Sequence, residues 1–337
     1  MSSSPPSSAV LARLASVPRT RLACTPTPLF SVPALAAHLG TAARLSVKAD
    51  AWTGLGLGGN KVRKLEYELA PPRLQGITDL VTGGGPHSNH CRVTAAAAAR
   101  LGLGCTLVVN GEPDDERRGN ARLHRLLGAR IVTVADRVDR DRAMTEEADR
   151  IRAGGGRALV VPIGASTARG ALGYVHALVE LHTEAGKARP WIFTSSSSGG
   201  TLAGLILGCA ILGWRPGLVG VSADETAAHV KETATGLAVS AARLLQDGDG
   251  RALASRVREV AEAVITTDDF VGSGYGHATP ESDEAIALFG ARAGVILDPV
   301  YTGKAAAAMI AWIRDGRIRE GDHAIFLHTG GHPALFR

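Results

Sequence analysis

Aromatic residues are scarce in this 337-residue sequence, 4 % of the total, with four tryptophans and four tyrosines. A protein that stacks single-stranded bases needs rows of exposed rings, so this supply argues against that role. Cysteine is equally sparse. Cys24, Cys91, Cys105 and Cys209 are scattered with no C-x-x-C pair, which reads as free thiols in a reducing compartment rather than a disulfide framework. No run approaches the roughly 18 unbroken apolar residues a membrane span requires. Charge excess is lacking too: 37 Lys+Arg against 32 Asp+Glu leaves +5, too mild for a structural nucleic-acid binder. Acidic residues are missing from Met1 to Ala49, which opens on the Ser/Pro-rich run MSSSPPSS. That opening imitates a transit segment. However, Pro28, Pro33 and the strand-like residues 44–47 already read as folded chain, leaving about ten residues of frayed tail. The expected location is cytoplasmic.

What is present fits a folded, water-soluble chain: 45 % hydrophobic and 20 % charged residues. A prior of roughly 150 residues per domain suggests two domains. Short apolar runs at Leu45–Lys48, Leu80–Thr82, Cys105–Val109, Ile131–Val134, Leu159–Ile163, Trp191–Thr194, Leu218–Val221, Val295–Leu297 and Ala324–Leu327 read as strands. Between them lie helical segments such as Arg92–Leu101, Leu202–Leu212, His229–Leu245, Asp283–Ala293 and Lys304–Arg314. This alternation predicts an α/β fold with largely parallel sheets flanked by helices. In such folds ligands bind beyond the carboxyl ends of the strands.

Four segments carry candidate chemistry. In GLGLGGNKVRKLE at 54–66, Gly54, Gly56 and Gly59 imitate a dinucleotide fingerprint, with Asp79 some way downstream. The context is wrong, because Asp50–Thr53 separate the glycines from the preceding strand. Lys61 is the notable residue. Backbone without Cβ obstruction can bring it close to a ligand, and a partly desolvated amine becomes nucleophilic, although on local evidence alone a solvated lysine is the better reading. Its neighbours Arg63 and Lys64 read as solvated charges. In FTSSSSGGTLAGL at 193–205, a strand runs into Ser196, Ser197, Ser198, Gly199 and Gly200, and Thr201 opens a helix. Free N–H groups at that start suit a tightly held phosphate. In GGGPHSNHCRVT at 83–94, Ser88 and Asn89 read as N-caps whose helix start suits a carboxylate. His87 and His90 lack a convincing third ligand, so no metal is expected. Finally, Tyr275 and Tyr301 lie in Gly-rich turns, and Thr329 sits at the end of an apolar strand.

In this order the segments resemble pyridoxal-phosphate enzymes of the tryptophan-synthase-β-like fold (fold type II), specifically the D-cysteine desulfhydrase / 1-aminocyclopropane-1-carboxylate deaminase group. The resemblance runs from about Leu22 to Phe336 and includes VPIGAS at 161–166. It implies pyridoxal 5'-phosphate as cofactor, with Lys61 as its Schiff-base lysine and Asn60 beside it. Asn89, Ser196–Ser198, Gly199, Gly200, Thr201 and Thr329 would hold the cofactor. Ser88, Asn89, His90, His87 and Thr302 would contact a small amino-acid substrate, and Ser88, Tyr275 and Tyr301 would act catalytically. It further implies a large domain of residues 1–64 plus 176–337, a small domain of 65–175 inserted centrally, and a homodimer. Where the deaminase carries a glutamate and a leucine, this chain has Thr302 and Thr329. Neutral hydroxyls favour simple β-elimination, with D-cysteine the expected substrate. Another carbon–sulfur lyase or β-replacement enzyme, the deaminase itself and a non-catalytic cofactor carrier remain alternatives.

Overall fold

The computed structural model describes residues 8–112, 115–186, 188–245 and 251–337, and residues 1–7 of the expected tail lie outside them. The chain is already helical from Ser8 to Ser16, so the described part begins inside the stretch expected to be frayed.

Among the described residues, ten strands form two sheets. They are β1 (Leu29–Ser31), β2 (Arg44–Lys48), β3 (Asp79–Gly84), β4 (Gly104–Asn110), β5 (Arg130–Val134), β6 (Ala158–Val160), β7 (Trp191–Ser196), β8 (Gly217–Ser222), β9 (Ile265–Thr267) and β10 (His323–Leu327). The larger sheet runs β1-β2-β10-β7-β8-β9 and the smaller β5-β4-β3-β6. Every pairing is parallel except β1 with β2. Parallel strands are covered on both faces, which is why β7, β8 and β10 read as nearly unbroken apolar runs.

Two expectations are corrected. The apolar run Val295–Leu297 is not a strand; it has no ladder partner, and Val295 and Leu297 pack into the core as extended chain while Ile296 is exposed. The run expected to be a strand to Ile163 ends at Val160, and Ile163–Ala165 form a 3₁₀ turn. The three-residue strands β1 and β9 went unrecognised.

Helix Gly200–Leu212 is apolar all round and buried along nearly its whole length, as a helix at the centre of a core must be. Glycine lets its neighbour approach. A Cβ on Gly204 would lie 2.3 Å from both Ala171 O and Tyr174 Cβ, and one on Gly208 would lie 2.7 Å from Leu178 Cδ2. Helix Ala168–Ala185 therefore rests directly on this one, and Ala171, Tyr174 and Leu178 close the same core cluster. The aromatics are spent mainly on packing: Trp191, Phe193 and Trp312 meet edge to face with centroids 5.2–5.4 Å apart. The carboxyl ends of β3, β7, β8 and β10 face one cavity between the sheets.

Candidate active site

That cavity, about 370 Å³, gathers most of the residues singled out in the sequence. Asn60, Lys61, Ser88, Asn89, His90, Ser196–Ser198, Gly199, Gly200, Thr201, Tyr275, Tyr301 and Thr329 all line it.

Lys61 is the second residue of helix Asn60–Glu68. Its position is set by backbone packed on backbone. Gly58 and Gly59 have φ of 67° and 113°, conformations that only glycine adopts without strain. Cβ atoms on Gly59 or Gly330 would lie 3.0 Å from Thr329 O or 2.8 Å from Gly59 Cα. Asn60 N–H donates to Thr329 O (2.9 Å), and Asn60 Nδ2 donates to Thr201 Oγ1 (2.9 Å). The lysine turn is thus tied to both the β10 end and the serine loop. Burial pushes the Lys61 amine down to about 8, partly offset by a hydrogen bond with Lys64.

Lys64 and Arg63 correct the expectation of solvated charges: both are buried. The Lys64 Nζ donates to Ser166 Oγ (3.0 Å) and Gly164 O (3.3 Å). Burial, and then the charge of Lys61, push its amine well below its ordinary value. A Cβ on Gly200 would meet this Nζ at 3.0 Å. The amine therefore faces the start of helix Gly200–Leu212, where Gly199 takes φ 76°.

This region has the features of an anion cradle. It combines an open helix N-terminus, the Lys64 amine, and hydroxyls of Ser198 and Ser166 bonded to each other at 2.7 Å. The Ser196 Oγ is buried with no partner among the described residues, a donor awaiting an acceptor. Across the cavity Ser195 Oγ and Thr329 Oγ1 lie 3.0 Å apart.

Ser88 caps helix Asn89–Leu101, accepting from Cys91 N–H at 3.2 Å. Asn89 Oδ1 accepts from Arg92 (2.7 Å) and Asn120 Nδ2 (2.8 Å), which leaves the Asn89 amide NH2 for a ligand. Buried Arg92 also donates to Gly58 O at 2.8 Å, so one guanidinium joins the Ser-Asn segment to the lysine turn. Thr82 Oγ1 donates to Val161 O (2.7 Å) and so accepts from His90 Nε2–H (2.8 Å). Burial pushes His90 well below its ordinary value, leaving a neutral ring.

The phenols of Tyr275 and Tyr301 meet at 2.5 Å, their rings edge to face. Tyr275 keeps 43 % of its surface open, yet its hydroxyl end is enclosed. Burial raises both phenols, Tyr301 well above its ordinary value.

Two expected contacts fall elsewhere. Thr302 does not reach the cavity: it is buried, and its Oγ1 donates to Asp298 Oδ1 (2.6 Å) while accepting from Asp298 N (2.7 Å). Its work is to close the turn presenting Tyr301. His87 precedes the cap and turns away from the cavity; its ring lies beside Gly119 and its carbonyl accepts from Asn120 Nδ2 at 2.7 Å. Beyond Lys64, sequence reasoning missed Arg92, Ser166, Arg137, Arg140 and Asp224. For Ser166 alone a signal existed, the VPIGAS segment.

The family model described as pyridoxal-phosphate dependent enzyme matches residues 20–330. The chain belongs to this family. It is a pyridoxal-phosphate dependent enzyme of fold type II. A protein of Klebsiella pneumoniae named D-cysteine desulfhydrase is 36 % identical over 334 residues, 97 % of this chain and 98 % of that one. A protein of the same name from Salmonella paratyphi B is 35 % identical over the same span. The crystal structure of an ACC deaminase homologue is 34 % identical with a TM-score of 0.85, covering 98 % of this chain and 97 % of that one.

The cavity's donor set fits the family's cofactor. A desolvated lysine suits an aldehyde, and an unpaired buried serine hydroxyl with a helix N-terminus backed by Lys64 suits a phosphate, all lining one cavity.

Proposed function

We propose that this chain is a carbon–sulfur lyase that converts D-cysteine and water to pyruvate, ammonia and hydrogen sulfide. Two observations support the reading: the relatives named D-cysteine desulfhydrase align over nearly the whole chain, and the ring-nitrogen end of the cavity is neutral. There Ser195 and Thr329 bond to each other, and among the described residues neither hydroxyl meets a carboxylate. Of the two threonines on which the sequence argument rested, only Thr329 still carries it.

Pyridoxal phosphate bound here would be held by Lys61 at its aldehyde carbon, by Lys64, Ser196–Ser198 and the Gly200–Leu212 helix start at its phosphate, and by Thr329 and Ser195 at its ring nitrogen. It supplies an electron sink that acidifies the substrate's Cα–H. The neutral hydroxyls of Ser195 and Thr329 would keep that sink shallow, which suffices where the group leaving Cβ is a stable thiolate. The chain's own groups do the rest. Ser88 Oγ, the first N–H groups of helix Asn89–Leu101 and the Asn89 amide hold the substrate carboxylate. The Lys61 amine, near 8, takes up and returns a proton at neutral pH. The Tyr275–Tyr301 pair offers a proton at one phenol oxygen while the other accepts from it. With both phenols raised, the pair serves as a donor toward the departing sulfur.

Pyruvate and sulfide released in equal amounts from D-cysteine by the cofactor-loaded protein is the expected result. Turnover confined to L-cysteine or to 1-aminocyclopropane-1-carboxylate would overturn it. The two sheets further support a small domain of 65–175 inserted into a large one, and the resemblance supports a homodimer; sedimentation of the loaded protein at micromolar concentration tests the latter.

A further inference from the structure

Lys304 is fully buried, yet its ammonium faces no carboxylate within ion-pair distance among the described residues. It donates instead to three backbone carbonyls: Val271 O (2.8 Å), Ala223 O (3.1 Å) and Gly274 O (3.3 Å). An ammonium has three donors, so it is saturated by main chain alone. Keeping an unpaired charge buried is costly, and the three acceptors say what that cost secures. Lys304 lies one turn beyond Tyr301, near the start of helix Thr302–Arg314. Val271 and Gly274 flank the loop that carries Tyr275. Ala223 precedes Asp224, a cavity residue hydrogen-bonded to Ser197 of the serine loop.

Besides Lys304 and the phenol contact, the described residues give the Tyr275 loop one further side-chain tether, Arg337 Nη2 donating to Gly276 O at its far end. Gly272, Gly274 and Gly276 have φ of 65°, 125° and 87°. Within the loop two backbone hydrogen bonds recur, Val271 N to Asp268 O and His277 N to Gly274 O, the second long at 3.4 Å. Such a loop samples many conformations unless tethered. The phenol pair, by contrast, needs its two oxygens held 2.5 Å apart.

We propose that Lys304 is a positioning residue for the elimination: its ammonium clamps the Tyr275 loop to the Tyr301 helix and to the β8 end, fixing the phenol pair against the substrate. This rests on the reading of the tyrosine pair as proton-handling groups. Misplacing a reacting group by about 1 Å costs on the order of 100-fold in rate.

Lys304→Met removes the donors while keeping the stem. In the cofactor-loaded enzyme we expect kcat to fall about 100-fold with KM changed less than about threefold, and with the cofactor's absorbance at wild-type stoichiometry. Lys304→Gln, which keeps a shorter donor, should fall between. A solvent isotope effect should rise in both while the α-deuterium effect does not, because protonation of the departing sulfur, the step given to the phenol pair, becomes slower than the steps around it. In cofactor-free protein, amide exchange across 271–276 should accelerate at least tenfold while helix Gly200–Leu212 stays protected. A K304M enzyme within threefold of wild-type kcat, a rate loss matched by loss of bound cofactor, or unchanged exchange at 271–276 overturns the clamp. Should K304M not accumulate folded, Gly272→Ala carries the test. Its Cβ would meet Thr279 Cγ2 at 2.5 Å and shift the loop from its other side, and unchanged turnover in that variant overturns the proposal. A Tyr301→Phe enzyme as fast as the wild type refutes the reading of the pair instead, and the exchange experiment still decides the contact.

Discussion

Lys61 turns an ordinary surface amine into a reactive one by position alone. At a value near 8, about a tenth of it is neutral at pH 7, against well under a thousandth for a free lysine near 10.4. Desolvation has a thermodynamic consequence. The folded amine releases its proton at lower pH than the unfolded one, so between about pH 8 and 10.4 the unfolded chain binds more protons and stability climbs with pH. Removing the amine in Lys61→Met should flatten that climb. Urea midpoints of cofactor-free wild type and variant at pH 8 and pH 10 check it; parallel shifts would show that Lys61 is solvated. The same variant should lose the borohydride-fixed cofactor mass on the Lys61 peptide. The three glycines alone left Lys61 reading as solvated, and it was the order of the family segments around it that singled it out. Lys64 was not legible. A lysine in a charged helical stretch is usually solvated, and what buries this one lies 100 residues on, at Gly164 and Ser166. Arg92 went unread for the same reason: its acceptor Gly58 O is 34 residues back.

Elements were more legible than residues, and their failures have physical causes. Strands buried on both faces announce themselves as aliphatic runs, and β3, β4, β5, β7, β8 and β10 were each located within two residues at either end. Val295–Leu297 has the same composition, yet a strand is defined by its neighbour, and among the described residues it pairs with none in a ladder. β1 and β9, three residues each, are too short to show a period. Helix Gly200–Leu212 was located from composition, whereas its contact with helix Ala168–Ala185 depends on Gly204 and Gly208, which look like helix-weakening residues until the neighbour is in place. Gly204→Ala tests this contact. Helix propensity alone would make it stabilising, but a methyl 2.3 Å from Ala171 O must push the helices apart. We expect a net loss on the order of 1–3 kcal/mol, read from the urea midpoint. A gain in stability would show the interface to be looser than these distances.

At the scale of the whole molecule, the helix carrying Lys61 is anchored from behind by a buried ionic network. Arg63 donates to both oxygens of Asp50 (2.9 Å each) and to both oxygens of Glu180 (2.8 Å each). Asp50 also accepts from Thr27 Oγ1 (2.7 Å) and Tyr174 OH (2.6 Å). Lys48, at the end of β2, joins through Glu184 at 2.8 Å and Glu180 at 3.2 Å. The network thus links the N-terminal segment, the larger sheet, the lysine helix and helix Ala168–Ala185. Burial works to raise the Asp50 carboxyl, but the Arg63 charge and four hydrogen bonds outweigh it and hold the group below its ordinary value. Its stabilising contribution is therefore present at neutral pH and is lost as pH falls through that depressed value. Asp50→Asn keeps the shape but leaves the guanidinium half-compensated in the interior, a change that costs about 3–5 kcal/mol in buried pairs. Because Arg63 lies two residues after Lys61, the loss should not stop at stability. The variant should unfold at lower urea, should lose the acid limb of its stability profile, and should release cofactor faster on dialysis than the wild type. If the midpoint falls but cofactor retention does not, the network holds the fold together without holding the lysine in place, and the chemistry depends on the glycine turn and Arg92 alone.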